Sequence, residues 1–268
     1  MPTLAAHSTV HNRHLLDALH RVAGATLTLR DCSAGEVDHL LAESETDVAL
    51  VSPLFFGKRE SDLALLGGAC VAAVGATNEW LLHFHRGLRD IRTIGYFGES
   101  GMEAMLAEIL LREKYGMSPR LQRLPEPSNM HSAATLFGSV DALLTTHAEE
   151  RAELASTSRI DLIDEWFDMT QLPLVREVFI GWESRLNPSL DAAVRAAGEY
   201  ADTAALQGVE EKMHGGDPRD AVEAIPTHFR YRYTEDVIEG MQVFFHMAFA
   251  YGLHRDIPDI VFWEAEEP

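Results

Sequence analysis

Through the first two thirds of the chain, short apolar runs alternate with stretches in which apolar residues recur every three or four positions. That pattern predicts an α/β protein with a largely parallel sheet flanked by helices. Strands are expected over Thr3–Ala6, Thr26–Leu29, Asp47–Ser52, Ala69–Val74, Thr93–Phe97, Leu121–Leu124 and Ala142–Thr145. Helices are expected over Asn12–Val22, Ala34–Ala42, Gly101–Tyr115 and Met130–Phe137. Ser100-Gly101-Met102-Glu103 has capping-box spacing, with Ser100 at the N-cap and Glu103 three residues on, and Gly116 follows as the stop.

The last third begins with a long apolar run, Leu172–Trp182, that reads as a strand. Asn187 as cap and Pro188 at the first helical position then open an Ala-rich helix reaching His214, closed by Gly215-Gly216. A final helix is capped by Thr234, carries Glu235 and Asp236 in its first turn, and presents Val237, Met241, Phe244, Phe245 and Ala248 on one face before Gly252. There is no internal repeat, low-complexity segment or flexible linker. If the chain forms two lobes, it passes between them through strands.

Composition narrows the partners. Forty-two acidic against 22 basic residues give a net charge of −20, and only 3 of the basic residues are lysines. A nucleic-acid or anionic-membrane surface needs clustered Lys and Arg, so neither partner is expected. No apolar run approaches the roughly 20 residues of a membrane helix. The opening Met1–His7 lacks the basic and apolar regions of a secretory signal. Cys32 and Cys70 can form one bridge at most, which points to a reducing compartment. A soluble cytoplasmic protein is expected, with a small organic acid as partner and a homodimer compatible with the sequence. The pairs His83/His85 and His11/His14 lack a third ligand at defined spacing, so no metal is expected. Neither a dinucleotide loop, a phosphate loop nor Gly-x-Ser-x-Gly occurs, and no cofactor is expected.

Five segments, in order, resemble the menaquinone-biosynthesis family of the futalosine route, which contains chorismate dehydratase and 1,4-dihydroxy-6-naphthoate synthase. They are Asp47–Ser52, Gly68–Asn78, Leu106–Gly116, Asp161–Val175 and the closing stretch from Tyr233-Thr234 to Gly252-Leu253. The resemblance covers almost the whole chain. It implies a two-lobed periplasmic-binding-protein-like fold of type II with two crossover hinge strands. Residues 1–78 would begin lobe 1, 79–180 would form lobe 2, and 181–268 would return to lobe 1 with the C-terminal helices. A ligand would bind between the lobes, where open α/β sheets expose strand ends and helix N-termini.

Candidate chemistry follows from both readings. His147 stands just past the strand Ala142–Thr145, where a general base would stand, and the naphthoate synthase branch has a histidine at a similar position. A capping role at the start of the next helix is the alternative. Asn12, the second candidate catalytic residue, resembles the family's asparagine after the first strand, and its amide can donate to a carboxylate and accept from a hydroxyl. Ser8, Thr9 and Asn12 can equally cap the first helix. Ser52 ends the Asp47–Ser52 segment. Thr77 and Asn78 sit at the first crossover, to bind ligand or to satisfy hinge backbone. The family carries a hydroxyl pair in the turn opening the long second-lobe helix. Here the turn is Gly98-Glu99-Ser100-Gly101-Met102-Glu103, so Ser100 and the N–H groups of Gly101 and Met102 are the candidate anion donors, beside two glutamates. Arg176 interrupts an apolar strand and offers a carboxylate contact, or pairs with Glu177 or Asp168.

The leading expectation is a chorismate-dehydratase-like lyase that removes water from a cyclic carboxylic acid. Two alternatives stand beside it: a dihydroxynaphthoate-synthase-like lyase using His147 as base, and a non-catalytic cytoplasmic protein that binds or senses a small carboxylate.

Overall fold

The computed structural model describes residues 1–58, 62–97, 101–125, 137–146, 154, 156–213 and 228–265. The chain divides into two compact units. Unit 1 comprises Met1–Ala73, Leu174–Phe245 and Arg255–Pro268; unit 2 comprises Val74–Pro173 and His246–His254.

The strands of unit 1 are β1 (Thr3–Ala6), β2 (Thr28–Asp31), β3 (Val48–Val51), β4 (Leu63–Ala73), β10 (Leu174–Trp182) and β11 (Phe229–Arg230). They form a six-stranded sheet of order β11-β4-β10-β3-β1-β2. β1 pairs in parallel with β2 and β3, whereas β10 runs antiparallel to both β3 and β4. β3 is buried at all four positions, as a central strand covered on both faces must be. Helices α1 (Val10–Ala23), α2 (Ala34–Ala42), α3 (Pro53–Lys58) and α6 (Pro188–Met213) belong to this unit. α6 lies directly on β4. A Cβ at Gly68 would stand 2.6 Å from the Arg195 backbone nitrogen, and one at Gly198 would stand 2.8 Å from Ala69 Cβ. Only hydrogen fits where these two backbones meet.

The strands of unit 2 are β5 (Leu81–Phe84), β6 (Thr93–Tyr96), β7 (Arg120–Arg123), β8 (Ala142–Thr145) and β9 (Ser158–Asp161). They form a five-stranded sheet of order β7-β6-β8-β5-β9. β6 is parallel to β7 and β8, and β5 is antiparallel to β8 and β9. Helices α4 (Met102–Glu113) and α5 (Leu162–Thr170) are joined by Lys114, whose ammonium bonds Glu165 at 2.5 Å and Asp168 at 2.6 Å. The last helix, α7 (Glu235–Ala250), gives its residues through Phe245 to unit 1 and the rest to unit 2.

Several boundaries differ from the expected ones for identifiable reasons. β4 begins at Leu63, six residues before the expected start, because the run up to the Gly67-Gly68 pair is completed as a strand by β10. β2 starts at Thr28, two residues late, since a short 3₁₀ turn takes up Gly24–Thr26. β5, β9, α3 and α5 were not anticipated. α4 is capped by Gly101, with no side-chain cap; the expected cap Ser100 lies outside the described residues. Glu103 nevertheless folds back, accepting the Gly101 N–H at 3.2 Å. The expected Met130–Phe137 helix lies outside the described residues except for Phe137. Cys32 and Cys70 are both free thiols. Among the described residues no helix is long and apolar enough to cross a membrane, and no group of three or more His, Cys, Asp or Glu could hold a metal ion.

Candidate functional site

One cluster of polar side chains in unit 1 gathers at the carboxyl ends of β1 and β3, the edge where open α/β sheets present ligand-binding loops. β1 ends at Ala6, and three residues later Thr9 caps α1 with extended backbone. Asn12, in the first turn, reaches back so that its Oδ1 accepts the Thr9 N–H at 2.7 Å. The glutamate of a capping box makes the same kind of bond. The other end of the amide is also engaged, with Nδ2 donating to the His7 carbonyl at 2.6 Å and to Glu177 Oε2 at 2.7 Å. Asn12 is fully enclosed.

Glu177 arrives from the opposite direction along β10. Val178 pairs with Val51, the last residue of β3, so Glu177 stands one residue beyond that strand's end. Its register on the other side is irregular: Val175 pairs with Ala72 and Glu177 with Val71, which leaves Arg176 as the extra residue of a β-bulge. A bulge interrupts the alternation of side chains and re-aims them, and bulges of this kind recur beside active sites. It delivers two adjacent charged residues into a strand whose neighbours Leu174, Val175, Val178 and Phe179 are all buried.

His11 completes the cluster. Its Nε2 lies 3.1 Å from Glu177 Oε1 and 2.9 Å from Thr9 Oγ1. The ring stacks on Phe229 at 5.6 Å between centroids, and the Tyr231 hydroxyl donates to the His11 carbonyl at 2.9 Å. Burial pulls the His11 pKa below its usual value, Arg176 pulls it further, and the bond to Glu177 opposes both. The imidazole is therefore neutral near pH 7, and because an ionised carboxylate only accepts, the proton faces Glu177 from Nε2. For Glu177, burial pushes the pKa up, but the bonds from His11 and Asn12 and the Arg176 charge outweigh it and hold the group below the ordinary carboxylate value. Burial lowers the Arg176 guanidinium to about 10, with Glu177 opposing, and it remains a cation.

Other expected site residues have local tasks in this structure. The Ser8 N–H donates to Asp31 Oδ1 at 3.0 Å, and Ser52 Oγ accepts the Leu54 N–H at 3.3 Å at the start of α3. In unit 2, the N–H groups of Thr77 and Asn78 donate to Asp161 Oδ2 at 2.8 and 2.5 Å. Asn78 has φ +56°, a left-handed conformation that asparagine tolerates. The other oxygen of Asp161 caps α5 through Ile163 and Asp164. Burial raises the Asp161 pKa against those four bonds. Gly101 and the buried Met102 open α4, with the Gly101 N–H turned to Glu103. Ser100 and His147 lie outside the described residues. Ser8, Thr9, Asn12, Ser52 and Arg176 thus share one edge of unit 1, while Thr77, Asn78, Gly101 and Met102 belong to unit 2.

Sequence reasoning missed His11 and Glu177 as site residues. The available signal was two adjacent charges inside a run of buried apolar residues. Unit 2 also has a cavity of about 190 Å³ lined by His85, Arg86, Thr93, Phe137 and Asp141. It lies at the amino ends of β6 and β8, the edge opposite to the one at which such sheets bind ligands.

Two sheets of this topology, with polar groups gathered at strand ends, define an α/β fold of the type II periplasmic-binding-protein kind. The chain resembles the periplasmic aliphatic sulphonate binding protein SsuA of Escherichia coli, with TM-score 0.61, 13% identity and coverage of 97% of this chain and 95% of that one. It also resembles protein AF1704 of Archaeoglobus fulgidus, with TM-score 0.65, 17% identity and coverage of 93% and 97%. A ligand-binding component of an ABC-type import system from Staphylococcus aureus gives TM-score 0.61 at 11% identity, over 94% and 92%. Residues 7–250 match the family model for menaquinone biosynthesis, and the chain belongs to that family. Among curated relatives, the chorismate dehydratase of Thermus thermophilus is 30% identical over 180 residues. That match spans 61% of this chain and 64% of the relative's length.

Proposed function

We propose that the protein is a cytoplasmic lyase of the chorismate dehydratase kind, removing water from a cyclic carboxylic acid. The observation that carries this reading is the family match over residues 7–250, within which Asn12 stands at the position that resembles the family's asparagine. The 30% identity to a chorismate dehydratase supports it. Eliminating water breaks one C–H and one C–O bond and makes a C=C bond from the C–H electron pair; a base takes the proton and returns it to the departing oxygen, which leaves as water. His147 is assigned the base. Ser8, Thr9, Ser52, Thr77, Asn78, Ser100, Gly101, Met102 and Arg176 are assigned to substrate binding, with no metal or cofactor.

The test is incubation with chorismate while its absorbance is followed. Loss of absorbance that depends on the protein supports the reading, and no turnover overturns it. His147→Ala then separates the two branches: activity retained in that variant removes His147 as the essential base. A second reading, a protein that binds or senses a small carboxylate without catalysis, is favoured by one observation: Asn12 has both amide hydrogens and its carbonyl oxygen engaged within the protein. No turnover together with thermal stabilisation by a small carboxylate would establish it.

A further inference from the structure

The group that the unit 1 edge presents outward is a carboxylate. His11 and Asn12 each hold one oxygen of Glu177, at 3.1 and 2.7 Å. Yet the Glu177 side chain keeps 17% of its surface open, against 5% for His11 and none for Asn12. Of these three residues Glu177 is the most open, and a molecule at this edge can reach it alongside the half-buried Ser8, Thr9 and Ser52. An ionised carboxylate offers about four acceptor positions, so two bonds leave capacity on both oxygens. It offers no donor. Its complement is a hydroxyl or an N–H.

The placement also has the marks of a built site. The bulge at Arg176 sets Glu177 past the end of β3, beside the loop that leaves β1. Phe229 and the Tyr231 hydroxyl fix His11 from β11 and the residue after it. Holding a carboxylate in an apolar strand is costly unless it is hydrogen-bonded or charge-paired, and His11, Asn12 and the neighbouring Arg176 charge offset that cost.

We propose that Glu177 is a specificity-determining acceptor for a hydroxyl group of the ligand, with His11 and Asn12 as the positioning residues that aim its carboxylate. The ligand class is a hydroxylated cyclic carboxylic acid whose hydroxyl, not its carboxylate, is read by unit 1. The proposal rests on the lyase reading and deepens it, because elimination of water requires a ring that carries a hydroxyl. A buried site built to bond a hydroxyl discriminates strongly against the analogue that lacks it.

The experiment compares two probes by calorimetric titration of the full chain: 4-hydroxycyclohex-1-ene-1-carboxylate and cyclohex-1-ene-1-carboxylate. The wild type should prefer the hydroxylated acid by about ten- to a hundredfold, the worth of one hydrogen bond to a charged group. Glu177→Gln should lose most of that preference. His11→Gln, which frees one oxygen but keeps the charge, should lose part of it, with affinity for the hydroxylated acid falling more than that for the deoxy acid. A merely structural role would move both affinities together. Should Glu177→Gln fail to fold, the wild-type preference and the His11→Gln arm decide. Equal wild-type affinities, or binding of neither acid, overturn the proposal. Chorismate turnover that Glu177→Gln changes less than twofold in kcat/KM overturns it and leaves the lyase reading standing. Hydroxyl preference without chorismate turnover overturns the lyase reading and supports the acceptor.

Discussion

Replacing Asn12 by alanine removes three hydrogen bonds from an enclosed position: Thr9 N–H to Oδ1, and Nδ2 to the His7 carbonyl and to Glu177. The cap-like bond is worth about 1 kcal/mol, the neutral bond to His7 about 1 kcal/mol, and the bond to a charged carboxylate about 1.5–3 kcal/mol. The three share one side chain, and water can enter part of the space, so the straight sum is an upper bound. A loss of about 3 kcal/mol follows. For a chain of this size each kcal/mol moves Tm by about 2–4 °C, which gives a drop of about 6–12 °C.

Asn12→Asp supplies the control, because it keeps the shape and the acceptor for Thr9. It also sets a second carboxylate where the amide now stands, 2.7 Å from Glu177 Oε2. Two carboxylates that close cannot both ionise, so one pKa of the pair rises above its unfolded value. A group raised in this way contributes stability that is present below its unfolded pKa and lost as pH rises. Asn12→Asp should therefore be less stable than Asn12→Ala at pH 8 and should gain on it as pH falls toward 5. Melting curves followed by circular dichroism across that range read both effects, and comparing the variants cancels the slopes they share. A Tm within 2 °C of wild type for Asn12→Ala, or parallel pH curves for the two variants, would refute the reasoning.

Three further outcomes are expected. His11 has a folded pKa lowered chiefly by burial, so it stabilises the protein above about 6.5 and that contribution drains away as pH falls; His14 is shifted the same way and for the same leading reason. His11→Gln should flatten, without abolishing, the fall in urea midpoint between pH 7.5 and 5.5, and an unchanged slope would count against it. Asp161→Ala strips the acceptor from the N–H groups of Thr77, Asn78, Ile163 and Asp164, which should cost about 3 kcal/mol and speed hydrogen exchange at those four amides. Protection left as in the wild type would show that the carboxylate is not their acceptor. Gly68→Ala forces a Cβ to within 2.6 Å of the Arg195 backbone and should destabilise by about 1–3 kcal/mol. Gly35→Ala, with nothing within 4 Å, should be neutral or slightly stabilising, and equal melting points for the two variants would remove the close approach of α6 to β4 as the cause.

The elements that could be read locally are those whose partners do not alter their pattern. β1, β3 and β8 are short apolar runs, buried over nearly every position, and they fall within a residue of where periodicity puts them. β4 could not be bounded that way. Its Gly67-Gly68 pair looks like a turn; β10 pairs with β4 on either side of it, over Leu63–Leu65 and Cys70–Ala73, and α6 needs a residue without a side chain at Gly68. β9, Ser158–Asp161, has one apolar residue in four and depends on β5 for its existence as a strand. The start of α4 was misplaced by one residue because Glu103 can close back on either candidate cap, and spacing alone does not choose between them.

The site divides along the same line. Asn12 could be found because its local role, reaching back to Thr9 in the first turn of a helix, leaves a mark in adjacent residues. Its partner Glu177 lies 165 positions away, and a bulge is a relation between two strands that one strand's sequence does not display. What the sequence establishes about an amide is that it can both donate and accept. Which end faces a ligand is decided by the groups around it, and here both ends are taken: the amide hydrogens go to His7 and Glu177 and the oxygen to Thr9. The consequence is a change of sign. An edge expected to offer a neutral donor to a carboxylate offers instead a carboxylate that needs a donor, held there by the residue that was expected to bind the ligand.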